Sequence, residues 1–466
     1  MSYTLDMINQ LKNRLFQPIS IASLAFFRVV FGVLGFADVL SIWIYYHFIV
    51  DAYNPDRIRF PYIGFEWVPT FHDPWMSLIF IVILIAAVGV IIGWRYQLSA
   101  TIFAIGFTYI FLLEKCHYLN HGYLFCWLSF IMIVLPADRA FSLSVWRKPE
   151  LYSPTIPLWG LLPLPLLMGL VYFYGGIAKL NPEWIAAVPL KLWLRSKGDT
   201  FLIGSIVTQD WVPYFMAWGG LALDLTISFF LLSRYTRPFA FAAAVFFHFI
   251  NHLIFNIGIF PFMSVALTAL FFSSDFPLKI ILWWKDRSSV VRKWHQAWAA
   301  RLASAKSDIP LWQAKSTIRN AVFGVFVVVI LIHTTLPLRH HFYPGDVAWT
   351  EEGHKYSWRM MLRSKSGRGH FTVVKSDSTK ENINLKDHLY KRQRRKVLTR
   401  PDLMLQFAHI IRDQYREKGE EVEVYAKIRV KLNGRARRPI VDPNYDLAKA
   451  EWYHFRSSEW ILPYEE

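Results

Sequence analysis

Long apolar runs separated by short polar blocks fill the first 337 residues of the chain. They fall near Ala22–Tyr46, Met76–Gly93, Ser99–Leu113, Tyr123–Leu135, Leu161–Ala178, Trp211–Leu232, Phe239–Phe255, Gly258–Phe272 and Asn320–Leu336. A run of ~18 or more residues is long enough to cross a hydrocarbon core of ~30 Å. The pattern therefore predicts a polytopic α-helical membrane protein with about nine transmembrane helices. The third, fourth and eighth runs are short for a span. Residues 186–207 are only intermittently apolar and are expected to lie along the interface. The stretch up to Gln17 is amphipathic, carries Lys12 and Arg14, and does not read as a cleavable signal.

After Leu336 the pattern becomes that of a water-soluble domain, which divides the chain into a membrane part, 1–337, and a tail, 338–466. Thr399–Gly419 reads as a helix, with Thr399 and Asp402 at capping-box spacing, Pro401 early and Gly419 past the end. Val422–Leu432 alternates as a strand and reaches Asn433-Gly434, a two-residue hairpin signal, before Arg435–Val441 returns. Phe371–Val374 is a further strand. The basic run Lys386–Arg400 is expected to be a solvated face. The tail is thus a small, strand-rich α+β domain.

Charge adds orientation. Basic residues occur before the first run (Lys12, Arg14) and after the second (Arg95), fourth (Arg139, Arg147, Lys148), sixth (Arg234, Arg237) and eighth (279–315). All lie on one side if every run crosses once, and the positive-inside rule makes that side the cytoplasm. Loops 47–75, 114–122 and 179–210 and the tail are then extracytoplasmic. The net charge of +17 follows from those loops and does not require nucleic acid. The two cysteines, Cys116 and Cys126, argue against a disulfide framework.

Ionisable residues within apolar runs carry the candidate chemistry. Arg28 and Asp38 lie in the first and Asp224 in the sixth, where each is expected to face the interior with a partner, Arg28 with Asp224 being one such pair. Structural pairing is the favoured role for all three. Lys179 ends the fifth run, Pro182 stops that helix, and Trp184 supplies an interfacial ring. An amine there either snorkels to the headgroups or is a desolvated, neutral base. His117/His121 and His248/His252 have the i,i+4 spacing of a metal pair, but no carboxylate set accompanies them. The residues alone lead to an outward-facing cavity lined by His121, Lys179 and His248.

Gly176-Ile-Ala-Lys179-Leu-Asn-Pro-Glu-Trp184 resembles the Gly-x-x-Lys-Leu-Asp/Asn-x-x-Trp stretch of the vitamin K-dependent gamma-glutamyl carboxylases and their bacterial relatives, whose membrane domain is of the HTTM type. Asn120-His121-x-Tyr123-Leu124 is similar to that family's Asn-His-x-Tyr-Leu. His248-x-x-Asn251-x-x-x-Phe255-x-Ile257-Gly258-x-Phe260, Arg59-Phe60-Pro61, Phe27-Arg28…Gly32…Asp38 and Leu223-Asp224-Leu225 resemble further family blocks. So do Gly353-x-x-Tyr356-Ser357-Trp358-x-Met360-Met361 and Val441-Asp442-Pro443. The resemblance covers nearly the whole chain, in order. Departures are a shorter tail than in the animal enzymes, Ala178 where a second lysine can stand, His252 where the animal family has a small polar residue, and cysteines that cannot reproduce the family's inter-segment disulfide.

The resemblance implies an enzyme that converts protein glutamate to γ-carboxyglutamate. It couples this to oxidation of reduced vitamin K (the hydroquinone) to the epoxide, using O2 and CO2 and no metal. Lys179 takes the place of the family's active-site lysine and is expected to be uncharged and dry; His121 assists it. Asn120, Tyr123, His248 and Asn251 are candidates for binding quinone or substrate, and Tyr356, Trp358 and Arg363 for positioning the glutamyl peptide. The expected partners are a Glu-containing protein or peptide, the quinol and membrane lipid, in a bacterial inner membrane. A quinone-binding or epoxidation-only membrane protein and a histidine-box metal oxygenase are the alternatives.

Overall fold

The computed structural model describes residues 2–200, 203–255, 257–303 and 316–465. The end of the basic segment after the eighth apolar run, 304–315, and residues 201–202 lie outside the described residues. Helices stand at each predicted apolar run. An amphipathic helix, α1 (Ser2–Leu15), precedes α2 (Ala22–Ile42), α3 (Trp75–Ile92), α4 (Tyr96–Leu113), α5 (Asn120–Val134), α6 (Pro163–Lys179), α7 (Val212–Leu232), α8 (Arg237–Ile254), α9 (Phe260–Ala269) and α10 (Ser316–Thr335). Among the described residues, six segments are long and apolar enough to cross a membrane: Ala22–Ile49, Trp75–Ile92, Tyr96–Leu113, Val212–Leu232, Arg237–Ile254 and Arg319–Phe342. The helices α5 and α9 are apolar but only 15 and 10 residues long, and α6 has 17. Beyond Ile42 the first span widens into a π-helical segment, Trp43–Ile49. Short helices, Val188–Leu194 and Gly204–Val207, stand where an interfacial segment was expected.

The basic loops gather at one end of the bundle. Lys12 bonds Asn320 at 3.1 Å, Arg319 bonds Asn13 at 2.9 Å, and Arg301 reaches the carbonyl of Trp146 at 2.8 Å. Arg28 belongs to this end. Its guanidinium donates to the carbonyls of Ala137 (2.8 Å), Ala140 (3.2 Å) and Phe141 (2.6 Å), so it caps the loop after α5. The expected Arg28–Asp224 pair does not form, because backbone oxygens take the arginine's two terminal nitrogens where it enters the bundle.

At the other end sits the soluble domain. An antiparallel sheet runs in the order β4-β3-β5-β6, where β3 is Lys365–Lys375, β4 Lys380–Ile383, β5 Val422–Leu432 and β6 Arg438–Pro439; β1 (Pro18–Ser20) and β2 (Thr155–Pro157) pair at the basic end. The register of β3 on β5 runs from Lys365↔Leu432 to Lys375↔Val422. Alternation along β5 buries Val424, Ala426, Ile428 and Val430 on the face that meets α12 (Pro401–Arg416), reached through α11 (Lys391–Val397). The hairpin turn is as predicted, with positive φ at Asn433 and Gly434. The capping box is not: Thr399 bonds back to Arg395 and Lys396, and Asp402 turns to lysines.

The two parts interlock. Phe60 and Cys116, from loops of the membrane part, are fully buried in the soluble core. Asp402 forms ion pairs with Lys115 (2.8 Å) and Lys355 (2.6 Å); Asp402 and Lys115 are nearly inaccessible and Lys355 is largely covered. Gln393 bonds the Ile58 carbonyl and Glu114 at 2.8 and 2.9 Å. Buried polar groups are costly unless partnered, so these bonds fix how the domain sits on loops 47–75 and 114–122.

Candidate active site

A cavity of about 870 Å³ opens between the helices and runs to the soluble domain. Lys179, at the last position of α6, lies in its wall and is buried. Its amine donates to Asp224 of α7, which is equally buried. Two glycines make this approach possible. A Cβ on Gly176 would meet the Leu225 side chain at 2.8 Å and its backbone nitrogen at 2.9 Å, and one on Gly175 would stand 3.2 Å from Asp224 Oδ2. The Gly-Gly step thus lets α6 and α7 touch where the lysine needs its partner.

The chain turns sharply behind the amine. Asn181 caps the next short helix by accepting from the Trp184 N–H at 2.9 Å. Trp184 is buried rather than interfacial, because its indole N–H donates to the Ala217 carbonyl at 2.8 Å. Its ring centroid is 5.4 Å from Lys179 Nζ, a cation–π distance. Lys179 is therefore held from two sides and does not snorkel.

Two histidines share the cavity with it. His121 of α5 stacks on Phe260 (5.8 Å) and His248 of α8 meets the same ring edge-on (5.9 Å). His248 Nε2 is 2.8 Å from the Tyr172 hydroxyl, which also lies 2.9 Å from Thr268 Oγ1. Gly258, in the left-handed region at φ +69°, leaves room beside His121 Nε2. The i,i+4 pairs are split. His117 bonds Tyr390 at 2.6 Å and lies against Tyr46, while His252 faces Phe262. Among the described residues no three metal-ligating side chains come together.

Asn120 and Asn251 also line the cavity. Asn120 accepts from Tyr118 at 2.8 Å and Asn251 bonds back to the Phe247 carbonyl at 2.9 Å. Tyr123, Tyr356 and Trp358 do not line it. They pack against one another behind the wall in tilted pairs, with centroids 4.8 Å (Tyr123–Tyr356) and 5.4 Å (Tyr123–Trp358) apart. Arg363 does reach the cavity, but Glu351 already holds it through bonds of 2.7 and 2.6 Å. Asp38 lines the cavity too, and no hydrogen bond or ion pair engages its carboxyl among the described residues. It has no structural partner there.

The soluble domain supplies a rim of positive charge. Arg392, Lys396 and Arg400, at four-residue spacing along α11 and its extension, join Arg359 on the cavity wall. The side chains of Arg359, Lys396 and Arg400 make no hydrogen bond or ion pair among the described residues. Burial pushes the Lys396 amine down to about 6, and Arg400, Arg363 and Arg392 push in the same direction. Arg359 is lowered to about 10, first by burial. By contrast Glu351, despite its burial, is held well below the usual carboxylate range by Arg363 and Lys365. The basic run expected to be a solvated face thus turns one side inward. Its i, i+4, i+8 spacing was the signal for that face.

Residues 16–276 match the HTTM domain, and residues 318–466 match the lumenal domain of vitamin K-dependent gamma-carboxylase. The chain belongs to the vitamin K-dependent gamma-carboxylase family. No solved structure matches it significantly. Both parts of the family are thus present in family order, and the cavity lies where they meet. The Gly-Gly-x-x-Lys stretch, the Asn-His pair at the start of α5 and the His248 block all converge on it.

Proposed function

We propose that the chain is a membrane enzyme that carboxylates glutamyl side chains of a protein or peptide at the γ-carbon, coupled to oxidation of vitamin K hydroquinone to its epoxide with O2 and CO2. The observation that carries this reading is one cavity holding a buried Lys179–Asp224 pair among apolar walls and a rim of unpaired cations at its aqueous end. In such a cavity a charged pair is poorly solvated, and moving one proton from amine to carboxylate leaves two neutral groups. Asp224 is then the store for the lysine's proton, and the freed amine takes a proton from the quinol hydroxyl. The quinol's reaction with oxygen supplies a base strong enough for the glutamyl γ-carbon, a step that needs the dryness of the apolar walls. His121 and His248, the latter oriented by Tyr172, hydrogen-bond the co-substrate's oxygens.

The cations receive the peptide. A glutamyl carboxylate held by Lys396, Arg359 and Arg400 has its charge neutralised, and the negative charge that develops when the γ-proton leaves is stabilised by the same groups. In this reading the chain crosses about nine times with its basic end in the cytoplasm of a bacterium, the rim faces outward from the inner membrane, and peptide arrives from water and quinol from lipid. The test is the purified chain in nanodiscs with reduced vitamin K, labelled bicarbonate and a Glu-containing peptide. Labelled peptide with epoxide is expected, and both should vanish in Lys179→Ala. Epoxide without labelled peptide would reduce the reading to a partial enzyme; neither product would overturn it.

A further inference from the structure

Asp38 is a half-buried carboxyl that the proposed chemistry does not use. It sits on α2, on different helices from the Lys179–Asp224 pair, and it faces the same cavity. Ser41 and Ile42 follow at one-turn spacing, and Tyr46 comes after them on the widened segment; all three line the cavity with it. Tyr46 and its neighbour His117 are already engaged: Arg392 donates to the Tyr46 hydroxyl at 2.8 Å, and Tyr390 bonds His117. The Asp38 carboxyl, by contrast, accepts no hydrogen bond among the described residues. A poorly solvated acceptor without a donor costs free energy, and it is retained here on the cavity wall beside Ile42, Phe107 and Ile110.

We propose that Asp38 is a second polar pole of the cavity, which accepts a hydrogen bond from the hydroxyl of the bound quinol remote from Lys179. The proposal rests on the quinol reading given above. A para-hydroquinone carries two hydroxyls on opposite sides of one ring, so a pocket that orients it needs a polar group at each. A carboxylate accepts but does not donate when ionised. In its ionised form Asp38 favours the reduced ring, which offers O–H donors, over the oxidised quinone, which offers only carbonyl acceptors. This makes it a binding residue that selects redox state.

The test is ligand binding without turnover. Full-length chain in nanodiscs is titrated anaerobically with reduced vitamin K and separately with the oxidised quinone, following tryptophan fluorescence. The parent is expected to bind the reduced form about tenfold or more tightly. Asp38→Asn and Asp38→Leu should weaken the reduced form by at least that factor and leave the quinone unchanged or tighter. Equal weakening of both ligands would mean that the cavity had merely deformed, and no weakening would mean that the carboxyl is not in contact; either overturns the proposal. If the parent binds neither ligand, the quinol reading fails first and this one falls with it.

Discussion

Glu183 and Asn433 are joined by a hydrogen bond of 2.7 Å across 250 residues of sequence. It links the turn behind Lys179 to the tip of the β5 hairpin. Arg435 adds a second bond to the same carboxylate, also 2.7 Å, and the Asn433 side chain in turn bonds the Leu362 carbonyl and the Ser364 N–H. One asparagine thus ties the amine's corner to the segment before β3 that carries Arg363. Glu183→Ala should raise the KM for peptide severalfold more than that for quinol, with Glu183→Gln intermediate. Equal changes in both constants would argue that Glu183 has only a general structural role.

Lys179 and Asp224 should behave as a unit. Removing one partner of a buried pair costs about 3–5 kcal/mol because it strands a charge, so Asp224→Asn should lower thermal stability and activity together. Lys179→Met combined with Asp224→Leu should recover most of the stability while remaining inactive. For Lys179→Ala, small primary amines are expected to restore part of the oxidation rate. Thermal unfolding in detergent and the epoxide assay separate these outcomes.

Gly176→Ala places a methyl group 2.8 Å from Leu225 carbons. Backbone lies almost as close, so the helices must part. Overpacking of this kind costs about 1–3 kcal/mol, and it moves the amine away from its carboxylate. Activity should fall at least tenfold in protein that still folds, and Leu225→Ala should recover part of it.

The pH dependence of peptide use should report Lys396. Its amine titrates near 6 in the folded chain against 10.5 in an unfolded one. A carboxylate binds the protonated form, so the KM for peptide should rise as pH increases above about 6. The sign for stability is the opposite. Between about 6 and 10.5 the unfolded chain holds a proton that the folded chain lacks, so folding is favoured as pH rises through that window. Lys396→Met should flatten both profiles, measured as KM and as denaturation midpoint across pH.

Much of the architecture was legible because apolar length and polar punctuation are strong signals. Every predicted apolar run carries a helix, and the Asn433-Gly434 turn fixed the β5 hairpin. Lys179 and His121 were legible through the family motifs, and they do meet in one cavity. What the residues could not reveal was pairing. Arg28 and Asp224 were natural partners on charge alone, yet backbone carbonyls near the helix start satisfied the one and Lys179 took the other. Tyr123, Tyr356 and Trp358 read as substrate contacts, but three large rings close together pack on one another before they face a cavity. The Arg392–Lys396–Arg400 face was missed because a basic run looks alike whether water or a cavity lies beside it.

The π-helical segment at Trp43–Ile49 has a consequence for helical phase. Eight residues of regular α-helix, at about 100° each, would leave Tyr46 about 80° out of line with Asp38. Widening to about 80° per residue over the last four returns it to within about 10°. The irregularity thus acts as a rotational correction that brings the acid of the first apolar helix and an aromatic ring at the domain junction onto one line. Winding this segment as regular α-helix at its present length would undo it without removing any side chain that lines the cavity.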